Sequence, residues 1–115
     1  MKRSNSSITQ AYRSIADLPS STRQLLKAVV EDHRHLGEQL GQRVYMQTLN
    51  LDGLNPGDRS TVLSHLMAEA KASTRSNIER QFPDAPRWIV DPIIKAGVEA
   101  IDTGYRNLAK QDERS

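Results

Sequence analysis

Residues 21 to 49, STRQLLKAVVEDHRHLGEQLGQRVYMQTL, run without a proline, and this stretch limits the fold more than any other. At about 100° per residue, Leu25, Leu26, Val29, Val30, Leu36, Leu40 and Val44 share one arc. Arg23, Lys27, Glu31, Arg34, His35, Glu38, Gln42 and Arg43 lie outside it or at its margins. That pattern predicts an amphipathic α-helix. At 1.5 Å per residue it is roughly 43 Å long, against ~30 Å for the width of a small domain. A stripe of that length calls for more than one partner.

The 115 residues suit one domain with a modest core, expected to span residues 1–115. With one Trp, one Phe and three Tyr, that core has to be mostly aliphatic. Cysteine is absent, which excludes disulfides, thiolate zinc sites and cysteine nucleophiles together. No apolar run approaches the ~18 residues of a membrane span, and no secretory apolar segment follows Lys2-Arg3. The expectation is a cytoplasmic protein without a membrane partner. The net charge of +2 is too small to imply nucleic acid by itself. Residues 1–30 hold Lys2, Arg3, Arg13, Arg23 and Lys27 against Asp17 alone, so the excess cations sit at the N-terminal end.

Residues 1–6 read as a flexible basic arm. Ser7 with Gln10 has capping-box spacing, and Ile8, Tyr12 and Ile15 then recur at helical intervals, predicting a short helix over 8–17. Pro19 ends it, and Ser21 with Gln24 repeats the capping signal. In NLDGLNPGD (50–58), Asn55 caps a helix whose first residue is Pro56, and Asp58 favours its N-terminus. So short a turn folds the next helix, 56–81, back antiparallel on the first. Along that helix Val62, Leu63, Leu66, Met67 and Ala70 share an arc, which Ser73, Thr74, Asn77, Arg80 and Gln81 then occupy. A break near 71–74 is expected. Residues 83–92, PDAPRWIVDP, form an elbow pressing Trp88, Ile89 and Val90 into the core. Asp91-Pro92 starts the last helix, about 92–111, with Gly97 and Gly104 in its apolar stripe and a charged, frayed tail at 111–115. The fold class is therefore all-α: a four-helix bundle-like domain built on a long helical hairpin.

Catalytic constellations are missing. There is no phosphate-binding glycine loop, no nucleophile elbow and no H-E-x-x-H, and the carboxylates are scattered over polar faces. No catalytic residue, cofactor or metal site is expected. Asp32 with His35 and His65 with Glu69 have metal-ligand spacing, but Arg34 stands where a Glu-x-x-His motif beginning at Glu31 needs histidine.

Residues 67–82, MAEAKASTRSNIERQF, resemble the helix-turn-helix of DNA-binding regulators. Ala68 matches the small residue between the two helices, Ala72 stands where glycine is usual, and Ile78 and Phe82 match buried positions. Ser73 departs from the pattern, which has a buried aliphatic there. The resemblance implies a recognition helix presenting Thr74, Arg75, Ser76, Asn77 and Arg80 to bases and phosphates.

Two functions follow. The first is a non-enzymatic helical interaction module, a homodimeric regulator or scaffold acting on a larger protein. Its candidate interface is His33, Gly37, Gly41, Tyr45, Met46, Leu49 and Trp88. His33 stands as a polar residue in the apolar stripe, the glycines allow close packing, and Tyr45, Met46 and Leu49 leave the stripe for other faces. The alternative is DNA binding through residues 67–82.

Overall fold

A computed structural model describes residues 13–51 and 53–114, which contain no strand. Three long helices carry the fold: α1 (Ser20–Thr48), α2 (Pro56–Gln81) and α3 (Arg87–Arg114). Single 3-10 turns precede and follow α1, at Ile15–Asp17 and Leu49–Leu51. Most of the helix expected over 8–17 lies outside the described residues, as does the basic arm.

The start of α2 is built as its sequence dictates. Pro56 occupies the first helical turn, and the Asn55 side-chain oxygen accepts from the Asp58 backbone N–H at 2.8 Å. Two other boundaries differ from expectation. The capping pair at Ser21 is not used: α1 begins one residue earlier, behind Pro19, with no side-chain cap. The last helix begins at Arg87, not at 92, because the Pro86 carbonyl accepts from the Ile89 and Val90 amides. Trp88 thus lies in the first turn of α3 and Pro92 within it. At its other end α3 stays helical through Arg114, past the charged residues expected to fray.

The pairing also differs. α1 and α2 run antiparallel, with His33 meeting Phe82 and Val44 meeting Ala70. The main partner of α1, however, is α3, and these two helices run parallel. Gly37 lies on Gly97 and Ala100, Gly41 on Ile101 and Tyr105, and Tyr45 reaches Asp112. Glycines make the approach possible. A Cβ on Gly37 would stand 2.9 Å from that of Ala100, and one on Gly41 would stand 2.8 Å from the Tyr105 nitrogen. A Cβ on Gly104 would stand 2.7 Å from the carbonyl carbon of Glu38. At Gly37 the Gly97 carbonyl lies closer still, so at all three positions backbone atoms block a side chain.

On either side of the seam lies a small aliphatic core. One gathers Ile78, Val90, Ile93 and Ile94 with Leu26, Val30 and Phe82 around them; the other gathers Val44, Ala70 and Ile101 with Leu63 and Met67.

The break expected at 71–74 does not form, and α2 is one helix through Gln81. Its face toward α3 continues through Met67, Lys71, Thr74, Ile78 and Phe82, about one turn apart. Lys71 holds its place by donating to Asp102 at 2.9 Å. The Thr74 methyl lies 3.2 Å from where a Cβ on Gly97 would be, so that glycine makes its room. Two polar residues at core-facing positions mimic a break in the sequence.

Candidate functional site

α1 presents three faces. The first, lined by Gly37, Gly41, Val44 and Thr48, is buried against α3. The second is charged, and its central residues pair with one another. The Arg34 Nε donates to Glu31 at 2.8 Å, another guanidinium nitrogen pairs with Glu38, and His35 stands 3.6 Å from Glu31. The guanidinium holds the Glu31 carboxyl below its ordinary range, and Glu31 in turn raises Arg34.

The third face looks outward and carries exposed apolar residues. Leu25 is 68 % exposed, Leu36 57 %, Met46 55 % and Leu49 43 %, and among the described residues only Leu54 joins them as an exposed large hydrophobic. Four of the five therefore belong to the long helix and the turn that closes it. The arc read from the sequence is about 140° wide, from Val30 to Leu25, and one neighbouring helix covers only its inner part. Beside this face a groove of about 360 Å³ separates α1 from α2. Leu36, Leu40 and Arg43 form one wall, and Ser73, Asn77 and Gln81 form the other.

The candidate interface residues divide sharply. Gly37 and Gly41 are buried within the chain, against α3, so they are spent on folding. His33 is half-buried with its ring edge-on to Phe82 at 6.3 Å, and Trp88 is half-buried in α3. Tyr45 packs edge-on against Tyr105 at 5.4 Å and donates its hydroxyl to Asp112 at 2.7 Å. That bond pushes the Tyr45 hydroxyl up to about 12. Met46 and Leu49 are left exposed. Leu25 and Leu36, assigned to the core from sequence, join them.

The residues proposed to read DNA do not form a recognition helix. α2 has no turn at 71–74, and the five side chains spread around it. Thr74 faces α3, Arg80 is held by Asn77, and Arg75 and Ser76 point elsewhere. The helix-turn-helix resemblance is therefore not carried into three dimensions. Among the described residues no three of His, Asp and Glu gather as a metal site would. No helix there is long and apolar enough to cross a membrane.

No protein-family model matches the chain, and neither a curated protein nor a solved structure does. The reading of function therefore rests on the residues themselves.

Proposed function

We propose that this chain is a non-enzymatic helical interaction module, homodimeric, that regulates or scaffolds a larger protein. The carrying observation is the outer face of α1, where Leu25, Leu36, Met46 and Leu49 stand exposed along one helix. Scattered apolar residues on a surface need no explanation, whereas four of the five exposed large hydrophobics among the described residues fall on the outer side of α1 and the turn that closes it. On the charged face of the same helix Arg34 is taken up by Glu31 and Glu38, and the exposed apolar residues lie on the other side.

The reading is tested with Leu36→Lys and Met46→Lys, alone and together. Both side chains are exposed, so the variants should keep the wild-type melting temperature within a few degrees. Chemical cross-linking, on purified protein and in extract of the native host, should give adducts that disappear in the double variant. Unchanged adducts, or none for the wild type, would remove the reading.

A further inference from the structure

We infer that the occupant of the outer face is a second copy of this chain, its α1 lying antiparallel to the first in one defined register. This inference rests on the interaction-module reading and makes it specific.

Exposed Leu25, Leu36 and Met46 all fall on one 3.5-residue register, the period of a coiled-coil seam. Starting at Leu25 and stepping alternately by four and three gives Leu25, Val29, Asp32, Leu36, Gln39, Arg43 and Met46. The next step is Asn50, just past the end of α1. Of these residues only Val29 is as much as half-buried. Over three heptads an ideal helix drifts by about 60° from such a seam, which a slight supercoil absorbs.

Two charged residues interrupt the seam, and they decide its partner. Asp32 and Arg43 are exposed, and neither has an ion pair or hydrogen bond among the described residues. Parallel self-pairing would set Asp32 against its own copy and Arg43 against its own copy, both repulsive. An antiparallel pair with its two-fold axis between Gly37 and Glu38 does the reverse. Val29 then meets Met46 of the second copy, Asp32 meets Arg43, Leu36 meets Gln39, and the symmetry repeats each layer. Slipping by one heptad places Asp32 on Leu36 or Arg43 on Gln39. One register alone satisfies both charges.

The flanks agree. On one side Ala28, His35, Gln42 and Leu49 border the seam, so Leu49 faces Ala28 of the other copy and no acidic or cationic pair of like sign is created. The charge pairs supply orientation and register more than affinity, because desolvation offsets much of their attraction. Affinity comes from Val29, Leu36, Met46 and Leu49.

Sedimentation equilibrium from about 1 to 300 µM should show a dimer of the full chain. Asp32→Arg alone, and Arg43→Asp alone, should each weaken dimerisation about tenfold or more, because each creates two repulsive layers per dimer. The double variant Asp32→Arg with Arg43→Asp should return to within about threefold of wild type. Far-UV circular dichroism identifies any variant that has lost its helices, and the charge-neutral pair Asp32→Asn and Arg43→Gln then replaces it, with loss of orientation preference as the expected result. A chain that stays monomeric, single swaps without effect, or a double swap that fails to recover would each overturn the inference. The broader reading stands or falls separately. A monomer that still captures another protein through Leu36 loses the second copy, and with it the homodimer, but keeps the interaction module, whereas Leu36→Lys without effect on any association removes both.

Discussion

The inner and outer faces of α1 belong to one helix and obey opposite rules. The inner face is lined by Gly37, Gly41 and Val44, and its glycines let the α3 backbone come within contact of its own. The outer face carries leucine and methionine among polar residues, and within the chain it borders solvent and the open groove to α2. Along α1 several large apolar residues sit where the chain leaves them uncovered, and the smallest residue sits where the packing is tightest. On this helix the glycines report the distance to the next backbone. Stability should thus be concentrated in the seam and association in the outer row.

The sharpest way to break that contrast is to add one methyl group to the seam. Gly41→Ala gains ~1 kcal/mol of helix propensity. Its new Cβ nevertheless meets the backbone of Ile101 and Tyr105, neither of which can rotate away. A net loss of about 3 kcal/mol is expected, read as a fall in Tm on the order of 10–20 °C by circular dichroism. Unchanged Tm would mean that α1 and α3 are farther apart than described.

Gly97→Ala makes the contrast finer, because there the nearest neighbour is the Thr74 methyl at 3.2 Å and not backbone. A side chain can move by a few tenths of an ångström, so strain and propensity should roughly cancel, leaving stability within about 1 kcal/mol in urea titration. Asn55→Ala lies outside both faces and measures the cost of an ordinary element. Loss of the side-chain bond to the Asp58 amide should cost about 1 kcal/mol in the same titration.

On the outer face, Leu36→Ala should change monomer stability by no more than about 0.5 kcal/mol, measured by thermal melting at low concentration. A larger loss would place Leu36 in the core after all.

The smallest effect is a titration. The Tyr45 hydroxyl donates to Asp112, and its deprotonation is pushed up to about 12. A raised folded value means that the bond's contribution is complete below pH ~10, the ordinary tyrosine range. It is lost as pH rises toward 12. Tyr45→Phe should therefore flatten the alkaline arm of stability against pH between those limits. Equal arms in the two proteins would show that the bond contributes nothing.

What could be read from sequence was local. The Asn55-Pro56 helix start and the extent of α1 depend on neighbours within a few residues; the first appears as expected and the second to within one residue at each end. The course of α2 was hidden because Lys71 and Thr74, on its side toward α3, meet their partners far along the chain: Asp102, 31 positions away, and Gly97. No local pattern announces such compensation. The pairing of α1 with α3 was hidden for a related reason. An apolar stripe says that a partner exists, but not which of two helices supplies it. Gly37 and Gly41 were recognised as close-packing residues and assigned to a partner molecule, since glycine looks the same whether the approaching backbone is its own chain's or another's. The outer face was half legible. Met46 and Leu49 stood off the main stripe, whereas Leu25 and Leu36 stood within it and could be told apart only once α3 had taken its side.

The parallel course of α1 and α3 also bears on how the chain reaches this structure. Gly37 and Gly97 are sixty positions apart in a chain whose other helix contacts could be made between neighbours at a short turn. The seam cannot close until α2 has doubled back, so the most exacting contacts in the molecule are those with the longest loop to bring together. Stopped-flow refolding should accordingly run slower than is usual for an all-helical chain of this length, with substitutions in the seam acting mainly on the unfolding limb.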